Sequence, residues 1–230
     1  MSAELPPTVV AVVPAAGRGE RLGGGQPKAL REIGGTTMLE HAVASLLAAP
    51  SVGLVVVAAP PADVERIQGL LGGGCSVVAG GSTRSHSVRL ALAALPAGGS
   101  LDVVLVHDAA RPFVPVSVIE AVVAAVRGGH DAVVPVVPLP DTVKRVAPDG
   151  RIQETVPRGD LYGAQTPQGF RPAVLRAAHA HDQPDATDDA VLIERQGTAV
   201  WTVPGSELAF KVTTPVDLER AQALLAGRRT

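Results

Sequence analysis

The chain has 230 residues, 46% hydrophobic and 18% charged, enough apolar material for a sizeable core and too little charge for intrinsic disorder. A net charge of −2 with no Lys/Arg block argues against nucleic acid as a partner, and a single cysteine, Cys75, excludes an intrachain disulfide. The N-terminus MSAELPPTVV has no basic region followed by an apolar helix, and no apolar run reaches the ~18 residues of a membrane span, so a soluble cytoplasmic protein is expected.

Aromatic residues make up only 2%, so Val, Leu, Ile and Ala must build the core. The first predicted element is the strand TVVAVVP (8–14). It runs directly into a glycine-rich, cationic loop, AAGRGERLGGGQPK (15–28). A helix follows over 37–49, with Leu39, Val43, Leu46 and Leu47 on one face. The pattern then repeats: strand 53–60, helix 61–71, strand 75–80, helix 85–95, strand 102–108, helix 115–126 and strand 131–138. Val64, Ile67 and Leu71 share a face of the second helix. Ser117 and Glu120 have the spacing of a capping box for the fourth. Cys75 opens the third strand and is expected as a small buried hydrophobe.

The strands are continuous Val-rich runs rather than alternating ones, the mark of strands covered on both faces. The alternation predicts an α/β fold: a doubly wound, mostly parallel sheet with right-handed crossovers, a Rossmann-like architecture. Ligands of such sheets sit at the carboxyl ends of the strands. That rule selects the loops 15–28, 59–62, 80–86, 107–115 and 138–142.

The pattern breaks in 138–170. VKRV and RIQETV flank the turn Ala147-Pro148-Asp149-Gly150, which predicts a hairpin arm over about 139–162. An arm that is polar on both faces has no core of its own and calls for a second subunit. Helices at 172–180 and 187–195, a strand at 198–203 carrying Trp201 as a core residue, and a helix near 215–226 complete the chain. No repeat and no linker divides residues 1–230, so one domain is expected.

The first loop is the strongest chemical signal. Glycines after a strand let backbone N–H groups approach phosphate oxygens. A P-loop requires Ser or Thr after its lysine, and Lys28 is followed by Ala29; a dinucleotide fingerprint requires a third glycine where Leu22 stands. Arg21 and Lys28 can instead converge on a triphosphate and stabilise a phosphoryl transition state. Asp108 closes the fourth strand and is placed for Mg²⁺, which prefers oxygen ligands; pairing with Arg111 is the plainer alternative. In GGSTRSHSV (80–88), Ser82 or Ser85 is a candidate helix N-cap. Lys211, between Phe210 and Val212 at an expected strand end, needs an anionic partner, for which Asp188 and Asp189 are candidates. The six histidines show no metal-ligand spacing and read as surface or structural groups.

PAAGRGERLGGGQPKAL resembles the signature loop of nucleotidyltransferases that join a nucleoside triphosphate to a small phosphate. More narrowly, the chain resembles the 2-C-methyl-D-erythritol 4-phosphate cytidylyltransferase family. The likeness runs through GGSTRSHSV, VLVHDAARPF, PLPDTVKRV, TVPRGDLYGAQTPQGF, ATDDAVLIE and FKVTTPVDL.

The resemblance implies cytidylyl transfer from CTP, with a divalent cation such as Mg²⁺ on Asp108 and a homodimer formed through the arm. It implies Arg21, Lys28, Arg158 and Lys211 as catalytic residues. CTP would be bound by Pro14, Ala15, Ala16, Gly17, Gly19, Gly81, Ser82, Ser87, Asp108 and Ala109. The sugar-alcohol phosphate would meet Asp108, Arg111, Thr142, Arg158, Thr166, Thr187 and Lys211, with Thr142 and Arg158 reaching a neighbouring subunit's site. Ser82 departs from the acidic residue many relatives carry there. Arg18 matches no fixed position of the loop motif. A ribitol-5-phosphate cytidylyltransferase and a non-catalytic nucleotide-binding protein are the alternatives.

Overall fold

The computed structural model describes residues 8–17, 27–95, 101–181 and 186–227. Arg18, Gly19, Arg21 and Gly23–Gly25 of the first loop lie outside the described residues.

The chain begins with β1 (Val9–Pro14), a small hairpin of β2 (Glu32–Ile33) and β3 (Thr36–Thr37), and α1 (Met38–Leu47). Then come β4 (Leu54–Ala59), α2 (Val64–Leu71), β5 (Cys75–Ala79), α3 (Arg84–Ala93), β6 (Val103–Val106), α4 (Val116–Arg127) and β7 (Ala132–Pro138). The alternation expected from the sequence is present. The large sheet has the order β7-β6-β1-β4-β5 for these strands, with one further strand between β7 and β6. β1 pairs parallel with β4 and β6, and β4 with β5.

The central strands β1, β4 and β6 are covered on both sides. Val9, Ala11 and Val13 of β1 pack with Leu39, Val43 and Leu46 of α1 and with Ile119, Val122 and Val126 of α4. Val10 and Val12 face the opposite layer, which includes Val88 and Leu92 of α3. Full burial of each such side chain contributes roughly 1.5–3 kcal/mol. That two-sided burial is why the strands read as unbroken apolar runs.

The cap of α1 is a complete capping box: Glu40 N–H donates to Thr37 Oγ1 at 3.2 Å, and Thr37 N–H donates to Glu40 Oε2 at 2.9 Å. The expected Ser117–Glu120 box does not form, because α4 already starts at Val116, behind Pro115. Glu120 instead accepts from the backbone N–H and the hydroxyl of Ser51, at 3.0 and 2.6 Å.

After β7 the chain departs from simple winding. β8 (Val143–Val146) and β9 (Ile152–Val156) form the expected hairpin, a separate two-stranded sheet. Gly150 adopts a positive φ of 87° in its turn, a conformation glycine takes without strain. β10 (Tyr162–Ala164) and β11 (Gln168–Phe170) then return to the large sheet as antiparallel strands. β11 is inserted between β6 and β7. Three-residue strands give too short a pattern to be read from sequence.

The last elements are α5 (Pro172–Ala178), α6 (Ala190–Arg195), β12 (Val200–Pro204) and α7 (Pro215–Gly227). β12 lies parallel to β7. Trp201 on β12 is not a core residue: it is 53% exposed and stacks on His130 at 4.5 Å between ring centroids. β12 lies at the sheet margin, where Trp201, Thr202 and Pro204 are all exposed. Cys75 is half-buried rather than buried, a free thiol whose pKa is raised by desolvation. Among the described residues no helix is long and apolar enough to cross a membrane.

Candidate active site

The sheet order reverses direction at β1: β4 and β5 extend to one side and β6 to the other. Strand ends on either side of such a reversal leave a crevice. Here it is a pocket of about 250 Å³ lined by Pro14–Gly17 at the end of β1 and just beyond it, Gly81–Arg84 and Ser87 at the start of α3, and Asp108–Ala110 after β6. Lys28, Ala29 and Lys211 complete it. Three of the five loops selected from the sequence therefore supply the lining, while 59–62 and 138–142 contribute none of the lining residues.

Lys28 opens a 3-10 turn, Lys28–Leu30, in which Leu30 N–H donates to Pro27 O at 2.9 Å. Ala29 and Leu30 are buried in the core, so the turn is anchored behind the lysine. In the 80–84 loop, Gly80 is packed so closely that an added Cβ would stand 2.6 Å from Ala16 Cβ. Ser87 Oγ accepts from Gly81 N–H at 3.1 Å and donates to Thr83 O at 2.9 Å, which ties the loop to its own helix. Thr83, not Ser82 or Ser85, caps α3: its hydroxyl accepts from His86 N–H at 3.0 Å. Ser82 stays exposed on the rim of the pocket.

Asp108 is the charge centre. Its Oδ2 lies 2.7 Å from Lys211 Nζ, and its Oδ1 lies 3.3 Å from Arg84 Nη2. Burial would raise the Asp108 pKa, but the Arg84 guanidinium, and after it Lys211, hold the carboxyl well below the usual carboxylate range. The partner expected for Lys211 was Asp188 or Asp189; the structure supplies Asp108. Nor does Lys211 end a strand. It sits in an irregular segment pinned by Val212, which is fully buried and donates its N–H to Ala110 O at 2.8 Å.

Arg111 does not form the ion pair with Asp108 that was the alternative to a metal there. Its guanidinium donates to the carbonyls of Ala209 and Ala164, at 2.7 and 3.1 Å. It thereby fastens the chain before Lys211 to the loop after β6.

Thr166 and His107 lie beneath Asp108. Asp108 N–H donates to Thr166 Oγ1 at 3.0 Å, and Thr166 Oγ1 is 3.0 Å from His107 Nδ1. His107 Nε2 is 3.1 Å from Arg111 O. One proton arrangement satisfies all three contacts: the threonine hydroxyl donates to Nδ1, and Nε2–H of a neutral imidazole donates to the carbonyl. Full burial lowers the His107 pKa to about 4, with Asp108 opposing. The unfolded histidine protonates near pH 6.5. Between those values the unfolded state binds more protons, so stability falls as the pH falls, by on the order of 3 kcal/mol when complete. Thermal unfolding at pH 7.5 and pH 5 should show this loss in the wild type and a smaller one in His107→Gln; equal losses would contradict it.

Arg84 was missed in the sequence, where it stood as one more charge in GGSTRSHSV. Its Nη1 is 2.7 Å from Asp189 Oδ2, and Asp189 is fully buried. Removing one partner of a buried pair costs about 3–5 kcal/mol. The spacing that would have exposed it is not local, because Asp189 comes from the ATDDAVLIE block. In that block Asp188 accepts from Gln168 Nε2 at 2.9 Å and from Val191 N–H at 3.0 Å.

Thr187, Thr142 and Arg158 are not among the pocket-lining residues. Thr187 is exposed just before Asp188. Thr142 and Arg158 lie exposed at the base of the hairpin, where Arg158 donates to the carbonyls of Leu139, at 2.7 Å, and Pro140.

A model of the family IspD, 2-C-methyl-D-erythritol 4-phosphate cytidylyltransferase, matches residues 9–227. The 2-C-methyl-D-erythritol 4-phosphate cytidylyltransferase of Frankia casuarinae is 56% identical over 220 residues, spanning 96% of this chain and 82% of that relative. The protein of the same name from Streptomyces coelicolor is 52% identical, over 97% of this chain and 87% of the relative. The crystal structure of the Thermus thermophilus 2-C-methyl-D-erythritol 4-phosphate cytidylyltransferase superposes with a TM-score of 0.78 at 38% identity, covering 97% of this chain and 100% of that one. On sequence and on fold together, the chain belongs to the IspD family of 2-C-methyl-D-erythritol 4-phosphate cytidylyltransferases.

Proposed function

We infer that the protein transfers the cytidylyl group of CTP to 2-C-methyl-D-erythritol 4-phosphate, releasing pyrophosphate. The observation that carries this reading is the convergence of Lys28, Asp108 and Lys211 on one pocket at the crevice of the sheet. That pocket suits two anionic substrates that must be held against their own repulsion.

In this reading the phosphate oxygen of methylerythritol phosphate attacks the α-phosphorus of CTP in line. The bond to the bridging oxygen breaks and pyrophosphate leaves. Catalysis is positioning plus charge neutralisation. Arg21 and Lys28 stabilise charge on the α-phosphate and the leaving group. Gly17, Gly19 and Gly81 let backbone come close to the nucleotide, with Pro14, Ala15, Ala16, Ser82, Ser87 and Ala109 around it. Lys211 and Arg158 hold the attacking phosphate, with Thr142, Thr166, Thr187 and Arg111 shaping that side. We place the protein in the cytoplasm because its nucleotide substrate is an intracellular metabolite.

Among the described residues Asp108 is the single carboxylate lining the pocket, and no three His, Cys, Asp or Glu side chains cluster as a metal site. That donor set fits a Mg²⁺ held mainly by substrate phosphates and water, with one protein carboxylate. When bound, such an ion neutralises charge on the phosphate oxygens.

The test is a pyrophosphate-release panel: CTP against other nucleotides, and methylerythritol phosphate against ribitol 5-phosphate and other sugar phosphates. Release with CTP and methylerythritol phosphate well above every other pair supports the reading. Preference for ribitol 5-phosphate, or CTP binding without release, overturns it.

The β8–β9 hairpin favours a homodimer. It forms its own sheet and exposes Val146 and Ile152, at 54% and 62%. Apolar side chains on a two-stranded hairpin gain stability only against another surface. Sedimentation should give a dimer for the wild type and a shift toward monomer, with reduced activity, for Val146→Asp/Ile152→Asp. A monomeric wild type would remove Thr142 and Arg158 from a neighbour's site.

A further inference from the structure

Arg84 occupies the first turn of α3 with its side chain 29% exposed on the pocket wall. All three of its nitrogens are engaged. Nε and Nη2 each stand 3.3 Å from Oδ1 of Asp108, and Nη1 stands 2.7 Å from Oδ2 of Asp189. The far oxygen of Asp189 is 2.9 Å from His179 Nε2, and Ser85 Oγ is 3.3 Å from His179 Nδ1. Asp189 and His179 are 0% and 2% exposed. The guanidinium is therefore gripped from behind by a buried pair and grips Asp108 in front.

Lys211 cannot set the direction of the Asp108 carboxylate by itself. It is 42% exposed, on a flexible stem, and an ammonium is a point charge without preferred direction. The planar guanidinium of Arg84 has that direction: Nε and Nη2 together address one oxygen, Oδ1, and leave Oδ2 to Lys211. It also ties two segments that are far apart in the chain: the loop 107–110, shared by both substrates in the proposed reaction, and Thr187–Asp189, which carries an expected sugar-phosphate contact.

We propose that Arg84 is a positioning residue that locks the Asp108 carboxylate to the Thr187–Asp189 segment, and so holds the sugar-phosphate side of the pocket at a set distance from the nucleotide side. The proposal rests on the cytidylyl-transfer reading. In-line attack is sensitive to that distance, since a displacement of about 1 Å can cost on the order of a hundredfold in rate. Nothing in this role requires Arg84 to touch a reacting atom.

The experiment is steady-state pyrophosphate release by the full chain, varying CTP and methylerythritol phosphate independently, for wild type, Arg84→Lys and Arg84→Ala. Calorimetry of CTP binding and added millimolar guanidinium chloride complete it. Arg84→Lys keeps the charge that buried Asp189 needs, and so covers the case in which Arg84→Ala does not fold. In Arg84→Ala, kcat/KM for methylerythritol phosphate should fall by about a hundredfold. In Arg84→Lys the fall should be roughly tenfold, because the fork is lost and the charge kept. KM and Kd for CTP should change by less than about threefold, and guanidinium should restore part of the Arg84→Ala activity, which a loosened fold would not permit.

Constants of both variants within about twofold of wild type would overturn the proposal. So would parallel losses toward both substrates without guanidinium rescue, the result expected from a collapsed loop. A wild type inactive with this substrate pair would overturn the cytidylyl-transfer reading and the proposal with it. An active wild type with unaffected variants would overturn the proposal alone.

Discussion

Replacing Lys28 with alanine should lower kcat for cytidylyl transfer by about two to three orders of magnitude while leaving the fold intact. The reason lies in how the lysine is held. Pro27 and the 3-10 turn Lys28–Leu30 set its backbone, and Ala29 and Leu30 bury the residues behind it. Alanine at position 28 removes none of those core contacts. What it removes is a positive charge on the pocket wall, where in the proposed reaction negative charge grows as pyrophosphate departs. An interaction that strengthens only in the transition state appears in kcat rather than in KM. Arg21→Ala should behave in the same direction on the family resemblance. Single-turnover measurement beside a thermal melt decides the matter: near-normal turnover in a well-folded Lys28→Ala protein would remove that residue from the mechanism.

Lys211→Ala should give the second large effect, with a different kinetic signature. The ammonium spends one donor on Asp108 at 2.7 Å, and the side chain is 42% exposed and lines the pocket. Two donors remain for an incoming phosphate. Without the lysine, kcat/KM for the sugar phosphate should drop by roughly a hundredfold or more, chiefly through a raised KM. CTP binding should change much less. Stability should change by no more than about 1 kcal/mol, because the pair is partly exposed and Arg84 still compensates Asp108. Asp108→Asn, in contrast, should damage binding of both substrates, since in the proposed reaction its loop borders both. Equal loss toward CTP and the sugar phosphate in Lys211→Ala would show that the lysine is not dedicated to the acceptor.

Much of this site could be read from residue order. VVAVVP followed by glycine and cationic residues placed a glycine-rich, cationic loop after a buried strand, and HDAARP placed Asp108 at a strand end. Both are local signals: a strand is recognised by its own apolar run, and a loop by the glycine and charge that follow. The hairpin arm was equally legible, because Pro148-Asp149-Gly150 encodes its own turn. Trp201 was misread because a lone aromatic does not reveal which face of an edge strand it occupies. The Ser117–Glu120 spacing misled for a related reason. Matching spacing does not make a cap when the helix has already begun one residue earlier, and Glu120 found Ser51 instead.

Residue order was enough for the alternation of strands and helices, the two-sided burial of the sheet, the arm and the cationic character of the first loop. Each follows from interactions within a few residues, whose periodicity survives in a linear string. Who pairs with whom was settled by the assembled fold. It brought Lys211 to Asp108 rather than to Asp188 or Asp189, turned Arg111 onto the carbonyls of Ala164 and Ala209, and made Arg84 the link between Asp108 and Asp189. It also slid β11 between β6 and β7. Charges carry no periodicity, and their partners come from whichever distant segment the sheet order brings alongside. A buried carboxylate must be compensated by a cation that reaches it, and which cation does so depends on segments that meet only when the sheet is complete.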